Sequence, residues 1–249
     1  MAFDYGLSFL AAFLASLVSG LGGVGGGFII VVFLAPVVGP KAVIPLVAAF
    51  SIFGNLSRIF FYRREIQWSL AWQFTVASIP GVYLGAKIFY IINESLLGVL
   101  LGSTLILAVP ARRFLKKRDF RYGFKTAVIF GFLFGFISGT AAGSGMFVIA
   151  GLSGLGLGGA ALLGTDAAIG LINALARSAA YWSFDVLPKE IFIAGILMGL
   201  VTFPGTWIAS KIVTLMGKRL HTQFIEILII FGGVFLLYQT LSASINLGS

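Results

Sequence analysis

The stretch SGLGGVGGGF at residues 19–28 interrupts an apolar run that extends from residue 6 to residue 38. Six of its ten residues are glycine, which adds backbone freedom and no side chain and is therefore disfavoured inside a helix. The pattern predicts two half-helices, at 6–19 and 28–35, joined by a glycine loop. As helices, both are too short to cross a hydrocarbon layer of about 30 Å.

The composition of the chain is typical of a protein that crosses a membrane several times. Of its 249 residues, 59% are hydrophobic and 10% are charged, and the mean hydropathy is +1.06. A soluble domain has about 25% charged residues. Apolar stretches follow one another, at 6–38, 40–62, 69–91, 95–111, 126–156, 158–182, 190–213 and 221–243. The sequence therefore predicts an all-α, multi-pass integral protein of the cell membrane.

The residue types that are missing exclude several kinds of site. Cysteine is absent and His221 is the single histidine, so thiol nucleophiles, disulfides and thiolate or histidine metal clusters are excluded. We expect no cofactor and no bound metal. The net charge of +9 is concentrated in the loops, where the positive-inside bias of membrane proteins accounts for it. We therefore expect the lipid bilayer, and no nucleic acid, as a partner.

The second half of the chain repeats the first at an offset of 119 residues. The matching positions are Ser19 and Gly20 with Ser138 and Gly139, Gly26 with Gly145, Phe28 with Phe147, Arg58 with Arg177, and Tyr62 with Tyr181. With an offset that is five residues larger, PGVYLGAKI at 80–88 also matches PGTWIASKI at 204–212. These matches, in this order, predict two units of four apolar segments, 1–111 and 126–249, joined by a basic linker at 112–125. The alternative is common membrane composition.

The distribution of loop charges favours one arrangement of the two units. If the broken first and fifth segments cross fully, the units have the same orientation. If these segments enter the membrane and return, each unit has three crossings and the repeats are inverted, as in many transporters. The second arrangement places more lysine and arginine residues on the side of the membrane where the linker lies. The positive-inside rule therefore favours inverted repeats, a cytoplasmic linker and both termini outside.

The glycine loops are predicted to bind an anion. A loop between two half-helices leaves backbone groups unpaired at membrane depth, which is tolerated only beside protein or a water-filled cavity. The second half-helix would direct free N–H groups and its positive dipole end into that cavity. The alternative is that the glycines only permit close helix packing. The predicted ligands are Gly22, Gly23, Gly25, Gly26 and Gly27, and in the matching SGTAAGSGMF at 138–147 they are Gly143, Ser144 and Gly145.

Two arginines inside apolar segments are candidates for the same site. Arg58 and Arg177 are related by the repeat, and a guanidinium group offers a planar fork of donors that suits an oxoanion. Alternatively, these side chains extend to the lipid headgroups. Asn55 and Asn173 lie three and four residues earlier, so each shares a helix face with its arginine. They either line the same cavity or form hydrogen bonds between helices.

Several of these segments resemble those of one transporter family. AAFLASLVSGLGGVGGGFII and GFLFGFISGTAAGSGMF resemble the G-x-x-S-G-x-x-G-x-G-G-G signature of the TauE/SafE-type anion permeases, also called the 4-toluenesulfonate uptake permease family. GGAALLGTDAAIGLINALARSAAYWSFDV is similar to the family's next element, in which an A-x-G-T-S-L motif opens a helix. PGVYLGAK and PGTWIASK resemble its P-G-x-x-x-G-x-x segment. The resemblance covers nearly the whole chain and includes the duplicated layout.

The resemblance implies a secondary transporter of small sulfur-containing anions such as sulfite, organosulfonates or sulfoacetate. For a duplicated carrier it implies alternating access about a site near the membrane midplane. Thr165 keeps the threonine of the family's G-T-S-L motif and is therefore a candidate substrate ligand, but Asp166 replaces the serine that follows. In the first unit, Pro45 lies near the equivalent place and there is no threonine. These differences concern the substrate more than the class of transport.

Two acidic residues are candidates for proton coupling. Asp166 lies in an otherwise apolar run and Glu226 lies within the last segment, where an ionisable residue is costly and usually functional. We predict that they bind and release protons during transport. The alternatives are a helix N-cap for Asp166 and an interfacial partner of Lys218 or His221 for Glu226. We expect His221 itself to lie at the surface.

Two other functions are compatible with parts of the sequence. A passive anion channel could use the same glycine loops, and a homodimer is compatible with either function. An intramembrane serine protease could use Ser144 of AGSG at 142–145 as nucleophile and His221 as base. However, Ser144 aligns with Gly25 in the repeat, so the sequence favours a non-enzymatic transporter.

Overall fold

A computed structural model describes residues 5–23, 26–91, 124–140 and 144–217, with residues 219–221, 223–224, 227, 234 and 238. In this part of the chain the backbone forms α-helices and no strand. The helices are α1 Tyr5–Gly22, α2 Gly26–Val38, α3 Pro40–Tyr62, α4 Trp68–Ile91, α5 Phe124–Thr140, α6 Gly145–Gly154, α7 Gly159–Ser183, α8 Lys189–Leu200 and α9 Thr202–Leu215. The fourth predicted segment, most of the basic linker and most of the eighth segment lie outside the described residues.

Some of these helices are long enough to span a bilayer. Within the described ranges, the stretches that meet the requirement of length and hydropathy are Ala42–Glu65, Trp68–Ile91, Gly159–Ser183 and Lys189–Leu215. The last of these combines α8 and α9, which only Val201 separates. The shorter apolar stretches Gly6–Gly22 and Val128–Thr140 belong to α1 and α5, the first halves of the two broken segments. The structure therefore agrees with the prediction of an all-α, multi-pass membrane protein.

The first apolar segment is broken, and the chain reverses direction at the break. The two helices contain 18 and 13 residues, so they are longer than the predicted half-helices, and Gly22 and Gly26 are helical. Gly23 ends α1 with a φ of +73°, a backbone conformation that glycine adopts without strain. A Cβ on Gly26 would lie 3.0 Å from the carbonyl oxygen of Ala15. Because Ala15 is two to three turns back along α1, α2 folds back beside it.

Helices α4 and α5 pack with their backbones in contact. Gly81 and Gly85 of α4 face Gly131, Gly135 and Gly139 of α5, and a Cβ on any of them would collide with backbone atoms of the partner helix. Small residues allow this close approach in membranes, where packing drives helix association. Helices α1 and α9 also approach closely, since a Cβ on Gly205 would collide with the Ser16 side chain and would lie 3.0 Å from the Phe13 carbonyl oxygen. Here the glycines serve packing.

Helices α3 and α7 form an antiparallel pair at the centre of the described structure. A Cβ on Gly164 would lie 3.0 Å from the Tyr62 carbonyl oxygen, Asp166 contacts Arg58, and a Cβ on Gly170 would lie 2.7 Å from Asn55 Oδ1. Residue numbers on α7 therefore rise as those on α3 fall. This register determines which polar side chains of the two helices meet.

Candidate anion site

A cavity of about 100 Å³ lies between α3, α7 and the two broken segments. It is lined by polar side chains and glycines from both predicted units. The lining residues are Ser19, Gly23, Gly26, Gly27, Val47, Phe50, Ser51, Gly54, Asn55, Arg58, Phe134, Ser138, Ser144, Gly145, Asp166, Gly170, Asn173, Ala174 and Arg177.

Arg58 links three elements at one end of this cavity. Its Nη1 donates to the carbonyl oxygen of Gly23 at 2.9 Å and to Asp166 Oδ2 at 2.5 Å, and its Nη2 donates to Asn55 Oδ1. The side chain is buried. The guanidinium therefore ties the end of α1 to α3 and α7, and its charge is balanced by a carboxylate.

Arg177 has fewer partners in the described structure. Its Nη1 donates to the carbonyl oxygen of Ser138 at 3.2 Å, and Ser138 Oγ donates to Asn173 Oδ1. Arg177 Nε and Asn173 Nδ2 are buried donors that have no acceptor among the described residues. No acidic side chain in the described ranges forms an ion pair with Arg177.

The two arginines occupy comparable surroundings in the two units. Each donates to a carbonyl near the end of the first half-helix of its own unit. In addition, Tyr62 donates to the Gly20 carbonyl at 2.9 Å and Tyr181 donates to the Gly139 carbonyl at 2.7 Å. Both tyrosines and both glycines are 119 residues apart in sequence. Matching hydrogen bonds thus occur at positions that the predicted duplication relates, and the duplication itself stays a prediction.

The cavity brings together most of the predicted ligands that the structure describes. Those that line it are Gly23, Gly26, Gly27, Asn55, Arg58, Ser144, Gly145, Asn173 and Arg177, and Asp166 joins them. Two others lie elsewhere. Gly22 is buried within α1 outside the lining, and Thr165 accepts a hydrogen bond at 3.0 Å from the backbone N–H of Gln67. Gly25, Gly143 and Glu226 lie outside the described residues.

Two of the alternative interpretations are wrong, and so is one of the expectations. Arg58 and Arg177 do not extend to the surface, because they are 6% and 5% exposed and donate to buried carbonyls. Asp166 is not a helix N-cap, because α7 begins seven residues earlier at Gly159. His221, expected at the surface, is buried, and its Nε2 lies 2.8 Å from the Leu21 carbonyl oxygen. This contact joins residues 200 positions apart, which local sequence does not predict.

The sequence prediction missed several lining residues, although a helical pattern marks them. On α3 the lining positions are 47, 51, 54, 55 and 58, together with Phe50 on the same face. On α7 the lining positions are 166, 170, 173, 174 and 177. Both sets follow the spacing i, i+4, i+7, i+8, i+11, which is one face of a helix. Applied to both units, this spacing would have identified the lining face.

Gly170→Ala is expected to disturb the Arg58 network. A Cβ at this position would lie 2.7 Å from Asn55 Oδ1, the atom that accepts from Arg58. Overpacking of this kind costs roughly 1–3 kcal/mol, so we expect a lower melting temperature in detergent. The matched control is Gly151→Ala, since a Cβ there meets no described atom within 4 Å. Equal melting temperatures of the two variants would contradict the contact.

Comparison with known proteins gives one match. A family model described as "Sulfite exporter TauE/SafE" matches residues 8–236 of the chain, a range that includes all of the cavity lining. A search of curated proteins and a search of solved structures return no match.

Proposed function

The chain belongs to the TauE/SafE sulfite exporter family, and we propose that it carries sulfite or a related small sulfur-containing anion across the membrane through the cavity. The family is one of membrane transporters of small anions. The observation that carries the proposal is a cavity lined by the buried side chains of both Arg58 and Arg177, beside two broken helices.

The charge of the cavity supports an anionic substrate. Its described lining contains two arginines and one acidic residue, Asp166, so the fixed side-chain charge there is positive. Positive charge is costly inside a bilayer and is usually functional. Arginine also presents several donors in one plane, which matches the oxygen atoms of sulfite or a sulfonate.

The broken helices add backbone donors to the same site. Gly26, the first residue of α2, and Ser144 and Gly145, at the start of α6, line the cavity. The first turn of a helix has N–H groups without partners inside the helix, and its dipole favours an anion. The absence of a side chain at Gly145 allows a ligand to approach the backbone, whereas a Cβ on Gly26 would meet Ala15 and Ser19 of α1.

The size of the cavity supports a small substrate. Its volume is about 100 Å³, whereas pockets for drug-sized molecules have roughly 300–1,000 Å³. Sulfite and short sulfonates are therefore better candidates than large aromatic sulfonates.

The transport cycle that we propose follows from the predicted duplication. The two units would rock against each other and expose the cavity to either side in turn. Asp166 is the proposed site of proton coupling, because it is buried in the cavity next to an arginine. Glu226 is the second residue that we propose for proton coupling. We also propose that the protein assembles as a homodimer.

Currents on a solid-supported membrane test this function. We expect purified protein to give a saturable current after a jump in sulfite or sulfonate concentration, altered by pH and absent with chloride. Radiolabelled sulfite exchange in proteoliposomes would detect an electroneutral cycle. A chloride current that does not saturate would contradict the carrier and favour a passive channel.

The protease alternative has no support in the site. His221 Nε2 contacts the Leu21 carbonyl oxygen, and its Nδ1 has no hydrogen-bond partner in the described structure. The histidine is therefore not hydrogen-bonded to Ser144, as the base of a serine nucleophile would be.

A further inference from the structure

We infer that the anion binds at the Arg177 end of the cavity and that Asp166 neutralises the Arg58 end, which makes the site selective for anions of a single negative charge. This inference rests on the proposed function and specifies its substrate class. It follows from the register of α3 and α7, from the carboxylate that pairs with Arg58 and not with Arg177, and from the donors at the Arg177 end, Arg177 Nε and Asn173 Nδ2, that have no acceptor among the described residues.

The register of the central helices shows why the two ends differ. Arg58 of α3 meets Asp166 of α7, and the two helices run antiparallel. Continuing this register, the residue opposite Arg177 is Val47, which also lines the cavity. Val47 and Asp166 are themselves 119 residues apart. The two arginines are thus equivalent in the repeat, but only one of them has an acidic residue opposite.

At the Arg58 end both terminal nitrogens of the guanidinium are in use, and only Arg58 Nε has no partner in the described structure. Arg58 donates to Gly23, Asp166 and Asn55. Its charge is compensated by the carboxylate, and an arriving anion would have to displace that carboxylate. A buried pair of this kind is costly to break, because each partner would be left uncompensated.

The Arg177 end has donors available. Arg177 Nε and Asn173 Nδ2 are buried without an acceptor in the described ranges, and both residues line the cavity. A buried donor without a partner is costly unless a ligand or water satisfies it. The Ser144 side chain makes no cap hydrogen bond to α6 and lines the same cavity. An oxoanion at this end would accept hydrogen bonds from all three.

The charge count then determines the substrate class. Among the described residues, the charged groups in the lining are Arg58, Arg177 and Asp166, and the Tyr62 hydroxyl on α3 is bound to the Gly20 carbonyl. While Asp166 is ionised, one positive charge is left uncompensated. A singly charged sulfonate or hydrogen sulfite neutralises it, whereas a dianion leaves one negative charge buried at low dielectric.

Methanesulfonate and sulfate are the matched probes, because they differ by a methyl group in place of a charged oxygen. Binding to the purified protein in lipid nanodiscs is measured by calorimetry. We expect the wild type to bind methanesulfonate about tenfold or more tightly than sulfate, an excess of about 1.4 kcal/mol or more. Tighter binding of sulfate would overturn the inference. Failure to bind methanesulfonate, sulfate and sulfite would instead overturn the proposed function on which it rests.

Two variants test the charge count itself. Asp166→Asn should shift the affinity ratio toward sulfate by about tenfold or more, because Arg58 becomes uncompensated. Val47→Asp should weaken methanesulfonate binding about tenfold relative to Val47→Asn. Val47→Asn is the control, because asparagine has the size of aspartate without its charge. If either Asp166→Asn or Val47→Asp fails to fold, the other decides the question. An unchanged ratio in Asp166→Asn, or equal binding by the two Val47 variants, would overturn the inference.

Discussion

Gly135→Val is expected to prevent α4 and α5 from packing in their native arrangement. A Cβ at this position would collide with the backbone of Ser78, since it would lie 2.7 Å from the carbonyl carbon and 2.8 Å from Cα. Backbone atoms cannot change rotamer to relieve the overlap, so the helices would have to separate. Overpacking against side chains already costs roughly 1–3 kcal/mol, and separation would add the loss of interhelical contacts.

The measurement for this variant is the amount of monodisperse protein in detergent and its melting temperature. We expect Gly135→Val to be recovered poorly and to melt well below the wild type. Gly151→Val is the matched control, because the same side chain is introduced into a helix where no described atom lies within 4 Å of the added Cβ. If both variants melt alike, the backbone contact between α4 and α5 is not present in the protein.

Arg177→Gln is expected to weaken anion binding and transport strongly while the protein stays folded. The substitution removes the positive charge that has no acidic partner in the described structure. A hydrogen bond to a charged group contributes about 1.5–3 kcal/mol, so the affinity for sulfite should fall by roughly tenfold to a hundredfold. Binding by calorimetry and exchange in proteoliposomes measure the two effects separately.

Two further variants serve as comparisons for the loss of sulfite affinity in Arg177→Gln. Arg63→Gln is the surface control, because Arg63 is exposed and donates only to the Phe60 carbonyl among described partners. Arg58→Gln should also reduce melting temperature, because it leaves Asp166 buried without its partner, at a cost of about 3–5 kcal/mol. Equal sulfite affinity in Arg177→Gln and Arg63→Gln would contradict a role for Arg177 in binding.

The broken helix and its surroundings could be predicted from local sequence. Glycine at six of ten positions from 19 to 28 is incompatible with a continuous, well-packed helix, and the break is found within that stretch. The helix ends were harder to predict, because burial of Gly22 and packing of Gly20 against Ala209 offset the cost of glycine in a helix. Tertiary contacts decided the boundary.

The pairing of polar residues could not be predicted in the same way. Arg58 and Asp166 are 108 residues apart, and their contact depends on the antiparallel register of α3 and α7. Thr165 illustrates the same limit, since its neighbour Asp166 faces the cavity while its own hydroxyl accepts from Gln67. Successive residues of a helix point about 100° apart. A sequence motif that contains both Thr165 and Asp166 therefore does not show which of the two side chains lines a site.

Selenite, the selenium analogue of sulfite, provides the most direct test of the proposed site. Crystals of the wild-type protein with bound selenite would be measured at the selenium absorption edge, where the anomalous signal locates the selenium atom. We expect a peak in the cavity within hydrogen-bond distance of Arg177 and Asn173. A selenium peak at a different location, in protein that binds and transports selenite, would contradict the assignment of this cavity as the anion site.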